Sequence, residues 1–336
     1  MDNEMIVDFI NSVEPDFSYG TSDGMSRAMV ESAENIARIN DYITESFYEV
    51  YTESDDPDKP GFFSKLSNKI DTYFTLFMNI IKKFITKIKG FFMTVKRKLT
   101  VAFTKAIKAV GNFLRNRINN NRKKFDAVTT KDEVKIYKWN QDKLEELSDF
   151  KYYANVASGG EGYEGAVTYF DNVKEKINDI SITSDDNKTS SLLTEKTITF
   201  DPNKAEKLLN DEYKVNIDGK LNSIYNSLMK QTNDYIKELK TEEKEVRKDF
   251  KKASNKDADT RREAKDAFKA TNYAINQWTL LKYRVTQKIA SACFKYYKKL
   301  FSAVKKVIGG FNISGNSSDY DNSEIQAYTN SAPLVL

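Results

Sequence analysis

The chain contains no histidine. The commonest general base, the commonest metal ligand and the side chain that titrates near neutral pH are missing together. Cysteine is almost absent too: Cys293 alone excludes an intrachain disulfide and a cysteine-based metal centre. Its place between Ala292 and Phe294, in a helical pattern, marks it as a buried structural thiol. Only five prolines occur in 336 residues, and none falls between Pro60 and Pro202, so long helices are free to run. No uncharged apolar run reaches the roughly 18–20 residues of a membrane span. The longest candidate, Thr72–Ile81, ends on Lys82 and Lys83. The start, MDNEMIVDFINSVEP, carries two early acids and no basic stretch, so no secretory signal is expected and a soluble or peripheral protein is.

Catalytic signatures are missing as well. There is no Walker A lysine, no nucleophile elbow and no helical histidine pair. Residues 160–165, GEGYEG, fit G-x-G-x-x-G, but FKYYANVAS before them is a poor core strand. Glu161 and Glu164 would also repel a pyrophosphate, so the segment reads as a flexible loop. Acid pairs such as Asp185/Asp186 and Glu242/Glu243 are what a charge-rich chain produces by chance. No catalytic, cofactor-binding or metal-binding residue is assigned, no cofactor is expected, and the chain is not expected to be an enzyme.

What is present is segregated charge. The net charge of +4 hides an acidic block at 1–60, with fifteen acids against Arg27, Arg38 and Lys59. Residues 61–125 reverse it, with sixteen Lys and Arg against Asp71 alone. A second basic stretch, Ala267 to Ser318, has nine Lys and Arg and no acid. A solvated surface mixes its signs, whereas blocks of one sign point to a partner of the other.

Periodicity divides the chain into five segments. The acidic N-terminal segment and linker, 1–60, include an amphipathic helix at 25–51 with Ile36, Ile39, Ile43, Phe47 and Val50 on its apolar side, followed by ESDDPDKPG. The basic segment, 61–125, holds an amphipathic helix at roughly 62–118. Its stripe runs Phe63, Leu66, Ile70, Tyr73, Phe77, Ile81, Phe84, Ile88, Phe91, Val95, Leu99, Ala102, Ala106, Val110, Phe113, at steps of three and four. About 50 residues of helix span roughly 75 Å if straight. The stripe thins at Ala102 and Ala106, Gly90 and Gly111 are sites for bends, and RNRINNNRKKF is expected to end the helix.

Residues 126–212 are mixed. KIYKW (135–139) and EKTITF (195–200) suit short strands, and Asp201-Pro202 suits an N-cap and first turn for a helix to about Asn210. A small α+β unit and an irregular helical one both fit. Residues 213–310 carry two long stripes. One is Leu221, Ile224, Leu228, Thr232, Tyr235, Leu239, Val246, Phe250; the other runs from Ala267 through Trp278, Leu281, Val285 and Ile289 to Val307. Joined by the polar SNKDADT, they predict an antiparallel helical hairpin. Residues 311–336, rich in Ser, Asn and Asp, read as a disordered tail. FTKAIKAVGNF (103–113) and FSAVKKVIGGF (301–311) echo each other as basic amphipathic segments ending in Gly-x-Phe or Gly-Phe. The expected fold is mainly α, with long amphipathic helices, this hairpin, and room for a small α+β insert at 126–212.

The basic helix is the candidate functional element. Its anion-binding candidates are Lys82, Lys83, Lys87, Lys89, Lys96, Arg97, Lys98, Lys105, Lys108, Arg115 and Arg117. Three partners fit: nucleic acid, through counterion release; an anionic membrane surface, with the aromatic stripe entering the interface; and the chain's own acidic block. Simple core packing with solvated lysines is the alternative to all three.

The order of acidic amphipathic head, Thr-Glu-Ser junction, linker and Phe/Ile/Lys helix, over about residues 25–115, resembles internal head and other virion structural proteins of large tailed bacteriophages. The resemblance implies a location in the virion, contacts with other virion proteins, and a prosegment removed by a prohead protease that cuts after Glu with an apolar residue two places before it. Ile43-Thr44-Glu45-Ser46 fits that pattern, and Tyr51-Thr52-Glu53-Ser54 fits more loosely, making Glu45 and Glu53 the candidate processing residues. The alternatives are a peripheral membrane-binding or membrane-disrupting helical protein, at the cytoplasmic membrane surface, and a helical adaptor in the host cytoplasm.

Overall fold

The computed structural model describes residues 62–125, 132–149, 162–183, 190–200, 204–253 and 258–309. The acidic helix expected at 25–51, its linker, Glu45, Glu53 and the tail at 311–336 lie outside the described residues. Within them the fold is mainly helical, with one small sheet. In chain order the elements are α1 (Phe62–Phe125), β1 (Asp132–Trp139), α2 (Gln141–Ser148), α3 (Gly162–Asp179), β2 (Ser181–Thr183), β3 (Ser191–Phe200), α4 (Ala205–Glu212), a π-helical stretch (Tyr213–Gly219), α5 (Lys220–Ala253) and α6 (Ala258–Gly309).

Several boundaries differ from those read in the sequence. RNRINNNRKKF does not end α1, which continues to Phe125, and neither Gly90 nor Gly111 interrupts it. The described residues of 126–212 hold both strands and helices but do not form a unit of their own, since α3 falls in one compact unit of the chain and the three strands in the other. The strands take order β1-β3-β2, with β1 antiparallel and β2 parallel to β3. Both expected strands are longer than the apolar alternation that announced them, because flanking polar residues pair as well: Asp132 sits opposite Phe200 and Glu133 opposite Thr199. Asp201-Pro202 does not start the next helix. Lys204 is its N-cap, without a side-chain hydrogen bond, and α4 passes through the π-helical stretch straight into α5.

The GEGYEG segment is not wholly loop, since Gly162 to Gly165 form the first turn of α3. Gly162 has φ +70°, and the Tyr163 amide donates to Asp266 Oδ2 at 3.1 Å. The end of α3 that would hold a phosphate in a dinucleotide site is therefore capped by a carboxylate of the protein itself. A Cβ on residue 162 would lie 2.1 Å from that carboxylate oxygen. Gly162→Ala is expected to destabilise by about 1–3 kcal/mol, from left-handed backbone strain plus the displaced cap. Thermal melting of the variant checks this, and an unchanged midpoint would refute it.

The chain forms two compact units, each assembled from three separate stretches. Among the described residues, the first comprises those within 62–89, 147–179 and 226–286, and the second those within 90–146, 180–225 and 287–309. Helices α1, α5 and α6 thus contribute residues to both. In the first unit, α6 is buried on nearly every side from Ala270 to Thr286, far more than a single stripe requires. Three contacts tie it to α5. Thr271 donates to Glu242 at 3.4 Å, Trp278 stacks on Tyr235 with centroids 4.2 Å apart, and Lys282 donates to Gln231. Successive contacts step seven and then four residues back along α5 and the same numbers forward along α6. This core is polar-laced, including buried Glu242, Asn272, Asn276 and Lys282. The second unit's core is apolar by contrast, built on Phe91, Leu99, Phe103, Leu193, Val304 and their neighbours, with Ser191 the only buried polar side chain among its described residues.

Candidate functional site

From Ile88 to Val110 the expected stripe of α1 is buried at every position: Ile88, Phe91, Val95, Leu99, Ala102, Ala106 and Val110. It does not thin at the two alanines. Phe92 and Phe103 widen it, and Phe103 is completely buried. Small residues at 102 and 106 are where the helix faces close neighbours rather than where the stripe fades. Phe103 packs against Tyr213 and Tyr297, each with ring centroids 4.8 Å away, and Phe92 meets Tyr225 at 5.8 Å. The Thr100 and Tyr213 hydroxyls share a hydrogen bond of 2.6 Å. Gly111 is buried beneath the Glu206 carboxylate. Side chains of the stripe before Ile88, and Phe113 after it, lie outside the described residues.

With one face fixed in this way, helical geometry turns the other outward. In the second unit that face presents Met93, Arg97, Val101, Lys105, Lys108 and Arg115, all exposed. Lys82 and Lys89, on the part of α1 in the first unit, are exposed as well. Among the described residues, none of these six cations has a carboxylate within ion-pairing distance; Arg115 donates to Asn112 at 3.0 Å.

Two candidates from the sequence do not belong to the face. Lys96 pairs with Asp218 at 2.9 Å and donates to Asn222 at 3.1 Å, so its charge is used inside the second unit. Lys98 is half-buried and engaged within the protein. Spacing alone does not separate these two from Arg97, because positions flanking the packed face lie within reach of neighbours that remote parts of the chain supply. Side chains of Lys83, Lys87 and Arg117 lie outside the described residues. What the sequence reading missed is that Met93 and Val101, 60% and 48% exposed, sit among the cations. Their signal was available: both fall opposite the stripe.

The second basic stretch is partly explained by internal partners. Lys282 donates to the Ser148 carbonyl at 3.2 Å, Lys288 to the Ile180 carbonyl at 2.7 Å, and Lys299 to Glu195 at 2.6 Å, while Lys269 lies 3.7 Å over the Tyr163 ring. Lys299, assisted by Lys135, holds the Glu195 carboxyl below its usual range. Arg284, Lys295 and Lys298 remain exposed.

A half-buried joint in the second unit gathers polar groups of a different kind. Glu212 accepts from Tyr296 and Asn216 and pairs with Lys196 at 3.5 Å, and Trp139 donates to the Asn216 carbonyl at 2.7 Å. Burial, with Glu212 second, pushes the Tyr296 hydroxyl far up, the reverse of an activated nucleophile. Cys293 is fully buried and its thiol is likewise pushed up by burial, as suits a structural thiol. Among the described residues no group of three or more Cys, Asp or Glu is placed to hold a metal ion, and no helix is long and apolar enough to cross a membrane. Compared with known proteins, the chain matches no family model, no curated protein and no solved structure.

Proposed function

We propose that the chain is a non-catalytic structural protein, of the bacteriophage-virion kind its sequence resembles, whose basic helix α1 contacts an anionic partner. The observation that carries this reading is the division of α1 into a core-packed apolar face and an exposed face of cations without acidic partners among the described residues. A helix that served only to fill the core would have no need of a one-signed outer face. In this reading α5 and α6 form a zipped antiparallel hairpin, a reading supported by the seven- and four-residue steps between their contacts. The hairpin is the scaffold that holds α1 with its cations outward. Other virion proteins are the expected neighbours, and Glu45 and Glu53 the positions at which a prohead protease would act.

The acidic segment 1–60 is proposed to mask the basic face until assembly. Of Phe77, Phe84 and Phe91, the partners its apolar side would pair with, Phe91 is buried and the side chains of the other two lie outside the described residues. The proposed restraint therefore combines a seam at Phe77 and Phe84 with the summed field of opposite charge. Deleting residues 1–53 is therefore expected to raise affinity for DNA or anionic vesicles, most at low salt. Titration of full-length and truncated protein at two salt concentrations tests it. Equal affinities at both would reduce the acidic head to a solubilising tail. A peripheral membrane protein is the second reading, but it has less support, because an interfacial helix needs a free apolar face and that of α1 is packed from Ile88 to Val110. The third, a cytoplasmic adaptor, has no observation in its favour.

A further inference from the structure

We infer that the face of α1 formed by Arg97, Lys105, Lys108 and Arg115 docks on the phosphate backbone of double-stranded nucleic acid, without regard to base sequence. The inference rests on the reading of α1 as an anion-contacting helix and narrows it to one partner class. All four side chains are exposed and lie in the second unit, on one helix whose opposite face is fixed by Phe92, Leu99 and Phe103. Fixing that face matters, because a cationic row on a freely rotating helix would have no defined direction. From residue 97 to 115 the row extends about 27 Å along the helix axis. A duplex presents about one negative charge per 1.7 Å of its own axis. Four cations therefore find phosphates at any register, and no particular base step is needed to align them.

The rest of the face supports backbone contact over base reading. Reading base edges calls for bidentate Arg, Asn or Gln free to enter a groove. Here the amide of Asn112 is engaged by Arg115, so among the described residues of the face Arg97 alone has a bidentate group free for a base edge. The residues between the cations include Val101 and Thr104, with Met93 ahead of them. Apolar contacts of that size fit against sugar and the sides of a groove but carry no sequence code. They also argue against lipid. A helix lying in a bilayer interface buries a broad apolar side, whereas among the described residues Met93 and Val101 are the only large apolar side chains exposed on this face.

The experiment uses the full chain with two unrelated 30-base-pair duplexes and with vesicles containing phosphatidylserine, each titrated across a salt series. The fourfold variant Arg97→Gln, Lys105→Gln, Lys108→Gln, Arg115→Gln is compared with a control, Lys295→Gln with Lys298→Gln, which removes exposed cations elsewhere in the second unit. Equal unfolding midpoints establish that the variants are folded. The expected result is equal affinity for both duplexes and a log–log salt slope that the fourfold variant flattens by about 3 to 4. The control pair should leave the slope as it is. An unchanged slope in the fourfold variant overturns the assignment to this face, while duplex binding by the full chain would leave the anion-contacting reading standing. Strong preference for one duplex overturns the backbone-only mode. Binding to vesicles but not to duplexes overturns the inference and keeps the broader reading, with lipid as partner. Binding to neither, by full-length and truncated protein alike, removes both.

Discussion

Truncating Phe103 to Ala is expected to cost the second unit about 3–5 kcal/mol, the range for deleting a large buried ring. The side chain is fully buried, and its ring lies 4.8 Å from both Tyr213 and Tyr297, so three elements lose contacts at once: α1, the π-helical stretch and α6. Little can move in to fill the space. Tyr213 is held by Thr100, and Tyr297 stacks on Phe301 with ring centroids 5.9 Å apart. A cavity between such neighbours relaxes poorly, which places the expected cost toward the upper part of the range. Phe103→Leu should cost much less, because most of the volume stays. The two tryptophans allow the effect to be located, since Trp139 belongs to the second unit and Trp278 to the first. Denaturant titration of Trp278→Phe protein reads Trp139 alone, and its midpoint should fall sharply in Phe103→Ala. A shift as small as that of Phe103→Leu would mean that the ring is not a principal contact.

The second large effect is a pH dependence of the first unit. Burial holds the Lys282 ammonium down to about 7 from its ordinary 10.5, with nearby Asp149 opposing weakly. Its neighbours include the Ser148 carbonyl, the Gln231 amide oxygen of α5, and the Trp278 ring of α6 at 5.7 Å. Between about pH 7 and 10.5 the folded state therefore binds fewer protons than the unfolded chain. Unfolding takes up a proton there, so stability rises with pH through that window and is lost again as pH falls toward 7. The full contribution is on the order of 4 kcal/mol. Unfolding followed by Trp278 in Trp139→Phe protein, from pH 7 to 9.5, should show the rise. That range stops short of the titration of Tyr273, whose hydroxyl burial and Asp171 push upward. Lys282→Met should flatten the curve. At pH 7 it also leaves two acceptors without their donor, at a cost of about 1–3 kcal/mol, so its absolute stability there reflects two opposed changes. A slope that survives the substitution would place the titrating group elsewhere.

The long helices were legible because each carries apolar residues at steps of three, four or seven, and most of the described positions on those stripes are buried. Leu221, Ile224, Leu228, Thr232, Tyr235 and Leu239 on α5 and Thr271, Trp278, Val285, Ile289 and Tyr296 on α6 all lie inside. Helices α2 and α3 escaped notice. Helix α2 is short, and α3 opens on glycines whose capping carboxylate, Asp266, is more than a hundred residues away in sequence. Strand β2 also escaped, because a strand of three residues is too short to leave a periodic trace. The π-helical stretch has no local signal either, and the contacts at Asn216 and Glu212 come from Trp139 and Tyr296.

By itself the sequence determined that the chain is mainly helical, that α1 has one apolar and one cationic side, and that Cys293 belongs inside. Those properties depend on residues within a few turns of one another, so spacing and composition suffice. Tertiary structure decided which cations remain available. Lys96 and Arg97 are neighbours in sequence, yet Lys96 meets Asp218 while Arg97 faces outward. Lys282 and Arg284 stand two residues apart, one buried against Ser148 and Gln231, the other exposed. Charge is a property of the residue, but its availability depends on the neighbour supplied by a remote stretch of chain. For a long helix packed on one side, that neighbour differs every hundred degrees of turn.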